Sequence, residues 1–370
     1  MTAGNGKHRP TIVRARKPVL VTGGAGFIGC NIADRLACEG RDVLVYDALT
    51  RAGVESNLEW LKARHPGRIS SVVADVRDVA SLEAAAKEAS AVFHMAAQVA
   101  VTTSLSDPME DYEINVGGAV RLLDALRRKK ERTPLVFAST NKVYGDLGDL
   151  RLTLHDGAYL PADPAIRKYG VGEDRPLDFH TPYGCSKGAA DQYVLDFARS
   201  FDLPTAVLRM SCIYGPRQMG AEDQGWVAHF LIRALAGEPI SIYGDGCQVR
   251  DILHVKDAVD AYMAVLARIE DVKGRAYNLG GGPANAVSLR QLLAFIGDHT
   301  GQRIELDFSE WREGDQRYFV ADARRARRDL GLGTPLDWKT GVADLAAWLA
   351  DNRRGGGRRT AAAAVQAVAP

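Results

Sequence analysis

From Pro18 onward, short apolar runs alternate with longer stretches in which apolar positions follow a helical spacing. The runs, which we interpret as strands, are "PVLVTG", "DVLVYD", "SVVADV", "AVFHMA", "PLVFAST" and "PTAVLRMS". Stretches such as "FIGCNIADRLACEG" and "GGAVRLLDALRRKKE" lie between them and predict helices. This βαβ alternation predicts an α/β fold with a doubly wound parallel sheet and helices on both faces.

After about residue 213 the alternation weakens. Two helical stretches, "WVAHFLIRALAG" and "SLRQLLAFIGDHT", stand among shorter and more separated strands, which predicts a smaller second lobe. "YNLGGG" at 277–282 looks like another strand of the main sheet, so we expect the two lobes to be interleaved. We predict a main domain at 18–212 with a returning segment at about 251–282, and a second lobe at 213–250 and 283–353. The basic start, 1–17, and the low-complexity end, 354–370, predict disordered extensions.

Composition narrows the class of protein. The 370 residues carry a net charge of +1 with 25% charged residues, which gives no reason to expect nucleic acid or a membrane as a partner. The five cysteines are scattered without CxxC spacing, which favours reduced thiols in a cytoplasmic protein and no metal site. We expect no transmembrane helix, because no stretch of about 18 apolar residues occurs.

The first strand leads into a glycine-rich turn. "VLVTGGAGFIG" places Gly23, Gly24, Gly26 and Gly29 between that strand and a helix, where backbone N–H groups can approach a pyrophosphate. Asp47 ends the next strand, about 20 residues on, where a carboxylate binds the ribose hydroxyls of NAD and repels the 2′-phosphate of NADP.

Two further residues bear on this prediction. Arg51 argues against the preference for NAD, since a guanidinium can accept the extra phosphate. Asp75, after the third strand, is placed either for the adenine of the cofactor or as a helix cap.

A second motif predicts proton transfer. Tyr183 and Lys187 lie four residues apart at the start of a helical pattern, so their side chains share one face. A nearby ammonium and the positive nicotinamide ring would both favour the phenolate and make Tyr183 a usable base. Thr140, at the end of a central strand, can orient a substrate hydroxyl.

These motifs together resemble the extended short-chain dehydrogenase/reductases that act on nucleotide sugars. The resemblance covers residues 18 to about 350 and rests on "TGGAGFIG", "ADVRD", "HMAAQ", "STNKVYG", YxxxK, "YGDGCQVRDILHVKD" and "REGDQRYFVAD". Within this family the chain is most similar to the CDP-tyvelose (CDP-paratose) 2-epimerases, through "STNKVYGD", "TPYGCSKGAADQY", "DQGWV" and "DQRYFVAD". The family's usual Asn after the second-strand Asp is Ala48 here.

The resemblance implies a Rossmann domain that holds NAD tightly, homodimers, and the catalytic set Thr140, Tyr183 and Lys187. It implies that the cofactor is contacted by Gly23, Gly26, Phe27, Ile28, Gly29, Asp47, Leu49, Thr50, Arg51, Asp75, Val76, Met95, Ala96, Ala97, Gln98, Asn115, Ala138, Tyr183, Lys187 and Met210. For the nucleotide-diphosphate sugar it implies Gln98, Thr140, Asn141, Ser211, Gln224 and the pyrophosphate-binding Arg250 and Arg312, with Arg317 assisting.

Asn141 and Lys142 separate the possible reactions. Dehydratases that resemble this chain carry an Asp-Glu pair at this point, whose carboxyls expel water. An amide cannot transfer a proton at neutral pH, and lysine is a poor replacement acid, so elimination is disfavoured. The alternative interpretation of the pair is a packing role at the end of the strand. The function expected is epimerisation, most favoured at C2 of a CDP-linked hexose, by oxidation and re-reduction.

Alternatives stay open. They are a 4-epimerase, a dehydratase or decarboxylase of the same family, and a non-catalytic NAD-sensing or scaffold protein. Residues 146–182 form a long connection before Tyr183, which predicts either a lid or a surface excursion.

Overall fold

The structure is a computed structural model that describes the backbone of residues 17–366 and the side chains of residues 17–352. Most of the predicted N-terminal extension, and residues 367–370 of the predicted tail, lie outside this range. The last helix continues to Gln366 and so includes residues 354–366, where the sequence predicts disorder.

The described residues form strands β1–β15. Their bounds are β1 Val19–Thr22, β2 Val43–Asp47, β3 Ile69–Val73, β4 Ala91–His94, β5 Leu135–Thr140, β6 Leu152–His155, β7 Ala158–Pro161, β8 Thr205–Met210, β9 Cys212–Tyr214, β10 Ile240–Tyr243, β11 Val249–His254, β12 Arg275–Leu279, β13 Ala286–Ser288, β14 Leu306–Ser309 and β15 Tyr318–Phe319.

The same part of the chain forms helices α1–α14. Their bounds are α1 Phe27–Cys38, α2 Val54–Arg64, α3 Val79–Glu88, α4 Val101–Ser106, α5 Pro108–Tyr112, α6 Gly118–Arg127, α7 Pro164–Tyr169, α8 Thr181–Phe201, α9 Trp226–Ala236, α10 Val255–Ala267, α11 Ile269–Val272, α12 Leu289–Thr300, α13 Arg324–Leu330 and α14 Trp338–Gln366. A π-helical turn, Glu113–Gly117, joins α5 to α6, and a 3₁₀ turn, Asn141–Tyr144, follows β5.

A seven-stranded parallel sheet in the order β12-β8-β5-β4-β1-β2-β3 forms the centre of the main domain. Strands β1, β4 and β5 are buried along their whole length, because helices cover both faces and every side chain then meets apolar neighbours. The predicted doubly wound α/β sheet is confirmed. The apolar stretch at 277–282 begins within β12, the edge strand next to β8.

The second lobe is built from short strands and three helices. Strand β11 pairs with β9, β13 and β15, while β10 pairs with β14. Helices α9, α12 and α14 enclose a separate apolar cluster with these strands, which includes Phe230, Leu231, Ile252, Leu292 and Leu345. No helix in the described part of the chain is long and apolar enough to span a membrane.

The connection at 146–182 is less irregular than the sequence suggests. It contains the antiparallel hairpin β6–β7 and helix α7. Val171 O accepts a hydrogen bond from Asn278 Nδ2 at 2.8 Å, and Glu173 Oε1 accepts one from Asn278 N at 2.9 Å, which attach the segment to edge strand β12. The structure therefore favours a packed excursion over the lid, because the segment is tied to the sheet by buried polar contacts.

A buried ion pair joins α8 to the sheet. Asp191 and Arg209 have side chains that are 0% and 5% exposed, and the guanidinium donates to both carboxylate oxygens at 2.9 Å. Ser139 Oγ donates to the same carboxylate at 2.8 Å, and Arg209 Nη1 donates to the Tyr144 hydroxyl at 3.1 Å. Because burying charges is costly, losing one partner leaves the other charge uncompensated.

We expect Arg209→Met to lower the free energy of unfolding by about 3–5 kcal/mol, as for other broken buried pairs. The measurement is urea denaturation followed by circular dichroism. Arg199→Met is the matched control, because Arg199 pairs with Asp196 on the exposed surface of α8. Losing this surface pair should lower the free energy of unfolding by less than about 1 kcal/mol. Equal losses in the two variants would contradict the role assigned to the buried pair.

Candidate active site

A cavity of about 390 Å³ lies at the carboxyl ends of the sheet strands. All the strands of the sheet are parallel, so the residues that follow β1, β2, β4, β5 and β8 meet at one edge. Twenty of the residues predicted from the sequence line this cavity: Gly23, Gly26, Phe27, Ile28, Gly29, Asp47, Thr50, Arg51, Asp75, Val76, Met95, Ala96, Ala97, Ala138, Thr140, Tyr183, Lys187, Met210, Ser211 and Gln224.

The glycine-rich turn packs so closely against neighbouring backbone that no side chain fits at Gly23 or Gly29. Gly23 has a φ of +66°, and a Cβ there would lie 2.7 Å from Ala96 N. A Cβ on Gly29 would lie 2.1 Å from Gly23 O. Gly26 is the N-cap of α1, and no side chain caps this end of the helix. The N–H groups of the first helical turn are therefore available to an anion. The turn therefore fits a pyrophosphate.

Asp47 is held in place by the backbone at the end of β2. Its Oδ2 accepts from Ala25 N and its Oδ1 from Leu49 N, both at 2.9 Å. This arrangement presents a fixed carboxylate to the cavity, which fits the diol of an adenosine ribose. Arg51 lies 3.9 Å from Asp223 Oδ1, so a second carboxylate offsets the guanidinium that argued for NADP.

Asp75 does not cap a helix. Asp78 caps α3 by accepting from Ser81 N, so the cap interpretation of Asp75 is wrong. Asp75 instead bonds the Arg77 guanidinium, with its Oδ2 2.8 Å from Arg77 Nη2, and this bond holds the pKa of Asp75 below its usual range. Because Asp75 and Val76 line the cavity beyond Asp47, they fit the adenine end of a dinucleotide.

Thr140, Tyr183 and Lys187 line the other end of the cavity. Lys187 is buried, its Nζ donates to Ala138 O at 2.7 Å, and it lies 4.3 Å from the centre of the Phe137 ring. Burial lowers the pKa of Lys187 to about 8, because an enclosed ammonium loses its hydration. The carboxylates of Asp191 and Asp111 act in the opposite direction.

Tyr183 differs from the expectation of an easily formed phenolate. Burial raises its pKa to about 12, and Asp111 raises it further, while a hydrogen bond with Thr140 lowers it. The Lys187 ammonium donates to the Ala138 carbonyl. Burial therefore favours the phenol, and positive charge beside Tyr183 would favour the phenolate.

Eight predicted residues do not lie on the cavity wall: Gly24, Leu49, Gln98, Asn115, Asn141, Arg250, Arg312 and the assisting Arg317. Asn115 Oδ1 accepts from Gln98 N at 2.9 Å, and Asn115 Nδ2 donates to Ser186 Oγ at 2.9 Å, so these two residues hold the turn after β4 against α8.

The predicted pyrophosphate-binding arginines pair with carboxylates of the protein. Arg250 lies 2.8 Å from Asp315 Oδ1, and Arg312 lies 3.0 Å from Glu222 Oε1. The assisting Arg317 packs near the Trp311 ring.

Among the wall residues that the sequence did not predict, several lie in one stretch at 212–219. Cys212, Arg217, Gln218 and Met219 line the cavity, as does Trp226. A signal was present in the sequence, because "CIYGPRQMG" starts two residues after the end of strand β8, whose carboxyl end meets the same edge of the sheet. Arg217 has a φ of +74° and its guanidinium stacks 3.8 Å from the centre of the Trp60 ring.

One cluster of possible metal ligands lies among the described residues, formed by Asp34, Cys38 and His65. Arg64 Nε donates to the same Asp34 oxygen that contacts His65, at 2.8 Å, so a cation already offsets this carboxylate. None of the three residues lines the cavity, and all five cysteines are free thiols.

Comparisons with known proteins agree with this geometry. Residues 19–280 match the NAD dependent epimerase/dehydratase family. CDP-paratose 2-epimerase of Salmonella typhi is 40% identical over 338 residues, covering 89% of this chain and 98% of that protein. UDP-glucose 4-epimerase of Thermotoga maritima, solved with UDP-glucose, has a TM-score of 0.77 at 28% identity over 90% of this chain and 99% of that one.

A dehydratase is also similar. The dTDP-glucose 4,6-dehydratase DesIV of Streptomyces venezuelae, solved as a double mutant with NAD, has a TM-score of 0.77 at 28% identity over 90% of this chain and 97% of that one. With the glycine turn, the fixed Asp47 and the Tyr183–Lys187 pair in one cavity, these matches show that the chain is an enzyme of the NAD-dependent epimerase/dehydratase family, the extended short-chain dehydrogenase/reductases, with NAD as its cofactor.

Proposed function

We propose that this chain is a nucleotide-sugar 2-epimerase that inverts C2 of a CDP-linked hexose. The observation that carries the proposal is the composition of the catalytic end. Thr140, Tyr183 and Lys187 line the cavity, and an amide and an ammonium follow Thr140 directly. The 40% identity to the CDP-paratose 2-epimerase supports the choice of C2 and of a CDP-linked sugar.

Tyr183 acts as the base. When bound, NAD supplies a hydride acceptor and a positively charged ring at this end of the cavity. Tyr183 removes the proton from the C2 hydroxyl as the hydride leaves C2, and it returns the proton when the hydride is delivered to the opposite face. Lys187 favours the phenolate electrostatically, and Thr140 contributes its hydroxyl to the Tyr183 oxygen and the substrate.

Asn141 and Lys142 support this reaction over elimination. The Asn141 amide accepts from Thr140 Oγ1 at 3.3 Å and donates to Gln316 Oε1 at 3.2 Å, while Lys142 Nζ donates to Gly314 O at 2.9 Å. Both groups are engaged by the protein and neither supplies the acid and base that the loss of water requires. The 4-epimerases share the same catalytic requirements, so the position of inversion is what separates the two candidates.

We also propose that the enzyme is a homodimer in the cytoplasm. Leu105, Met109 and Tyr112, on α4 and α5, and Tyr193 on α8 are exposed apolar side chains on helices that pack together. An apolar surface of this kind is typical of a subunit interface. The five free thiols are in keeping with a reducing compartment.

Replacing the base should abolish turnover without removing the cofactor. We expect Tyr183→Phe to lower kcat roughly 10²–10⁴-fold, because general-base catalysis is lost while the ring remains. NAD content, measured by absorbance after denaturation, should stay near one per chain. Tyr193→Phe, on the exposed surface of the same helix, is the control and should keep full activity. Turnover near the parent level in Tyr183→Phe would rule out this mechanism.

The fate of hydrogen at C2 distinguishes the proposed reaction from elimination and from carbon-acid chemistry. Because the same hydride leaves and returns, deuterium placed at C2 of the CDP-linked sugar should remain in the product. In deuterated water, NMR should show no deuterium at the inverted carbon. Solvent deuterium at that carbon would contradict oxidation and re-reduction, and inversion at C4 would select the 4-epimerase instead.

The dimer proposal can be tested with two charged substitutions. Met109→Glu combined with Tyr193→Glu should convert the protein to monomers in sedimentation velocity, because the carboxylates would be buried at the interface. Phe308→Glu, at an exposed apolar position on β14 in the second lobe, is the matched control and should stay dimeric. A monomeric parent protein, or a dimeric double variant, would contradict the proposed surface.

A further inference from the structure

Three consecutive residues between β14 and β15 are each held by a different residue of the predicted site. Gly314 O accepts from Lys142 Nζ at 2.9 Å. Asp315 Oδ1 lies 2.8 Å from Arg250 Nη2, and Gln316 Oε1 accepts from Asn141 Nδ2 at 3.2 Å. We refer to residues 314–316 as the docking segment.

The contact between Asn141 and Gln316 is shielded from water, and the other two contacts are partly buried. Gln316 is fully buried and Asn141 is 8% exposed. Gln316 uses both ends of its amide, since its Nε2 donates to Gly145 O at 2.6 Å. Burial and the neighbouring Arg250 lower the pKa of Lys142 to about 8, so holding its ammonium at Gly314 is costly. Buried polar groups that are fully paired define one arrangement, because any shift leaves them unpaired.

The docking segment lies between the turn that follows Thr140 and the start of α8, the helix that contains Tyr183. Asn141, Lys142 and Gly145 belong to the turn that directly follows Thr140. On its other side, Gly314 has a φ of +70°, and a Cβ there would lie 2.6 Å from Thr181 Cγ2. Thr181 begins α8, two residues before Tyr183. The position of the segment is therefore coupled to both Thr140 and Tyr183.

The docking segment also contacts two arginines of the second lobe, Arg312 and Arg250. Asp315 N donates to Arg312 O at 3.2 Å, and β15, which starts two residues after Gln316, pairs Phe319 with Arg250 of β11. Arg312 and Arg250 are the cations expected to bind the diphosphate, and Arg312 stacks 3.7 Å from the centre of the Tyr243 ring. The distance between the diphosphate site and the catalytic hydroxyls thus depends on how the docking segment is held.

We propose that Asn141, Lys142 and Gln316 are positioning residues that hold the diphosphate-binding part of the second lobe in register with Thr140 and Tyr183. The inference rests on the proposed function for the class of ligand, a nucleoside-diphosphate sugar. Lys142 and Asn141 act through the docking segment, and neither takes part in proton transfer.

The test measures kcat, KM and nucleotide affinity separately. CDP, UDP and dTDP are titrated calorimetrically against the NAD-containing protein, and the diphosphate that binds most tightly is used for all variants. Lys142→Met should weaken its binding tenfold or more and raise KM for the nucleotide sugar similarly, with kcat changed less than threefold. Lys142→Arg, which keeps a cationic donor for Gly314 O, should recover most of the affinity.

Gly314→Ala tests the segment without altering the residues that hold it. Because the added methyl collides with Thr181, this variant should reproduce the loss of affinity seen in Lys142→Met. Lys129→Met is the matched control, since Lys129 also donates to backbone carbonyls, Ala86 O and Ala89 O, away from the cavity. It should leave the affinity and KM unchanged.

Different failures have different meanings. If no nucleoside diphosphate binds the parent protein, the proposed function is wrong. If the parent binds and epimerises its substrate but Lys142→Met and Gly314→Ala retain full affinity, the positioning role is wrong. A fall in kcat in Lys142→Met with unchanged KM and affinity would also overturn it, because Lys142 would then act in the chemistry itself.

Discussion

The relative position of Thr140 and Lys187, two of the proposed catalytic residues, depends on the buried contact of Asp191 with Arg209 and Ser139. Asp191 lies one helical turn after Lys187, and Ser139 directly precedes Thr140. By joining these neighbours, the carboxylate sets α8 against β5 at the level of the reacting groups. A surface contact would be weakened by water, whereas this one has almost no exposure, so its directionality is retained.

The same network extends to the rest of the sheet edge. Arg209 reaches the Tyr144 hydroxyl, which donates to Asn278 Oδ1 at 2.8 Å on strand β12. Asn278 in turn binds Val171 and Glu173 in the long connection. A segment that the sequence predicts as a possible lid is thereby tied to the sheet that contains β5 and Thr140.

Burial in the cavity shifts the pKa values of Tyr183 and Lys187 in opposite directions. Burial raises the pKa of Tyr183 and lowers that of Lys187, because each change favours the neutral form. A positive charge placed beside Tyr183 would oppose the effect of burial on its pKa.

The sequence by itself determined the parallel sheet, the glycine turn, Asp47 and the YxxxK pair, because each depends on the spacing of residues that are close together in the chain. It did not reveal that Asp78 caps α3, that Arg51 faces Asp223, or that "CIYGPRQMG" closes the cavity, since these depend on which loops meet. The clearest case is Asn141-Lys142. Residue chemistry alone argued that the pair cannot act as the acid and base of a dehydratase, but only the tertiary structure brought it to residues 314–316, more than 170 positions away in the chain. Contacts of such separation are decided by the packing of the two lobes, and no local pattern encodes that packing.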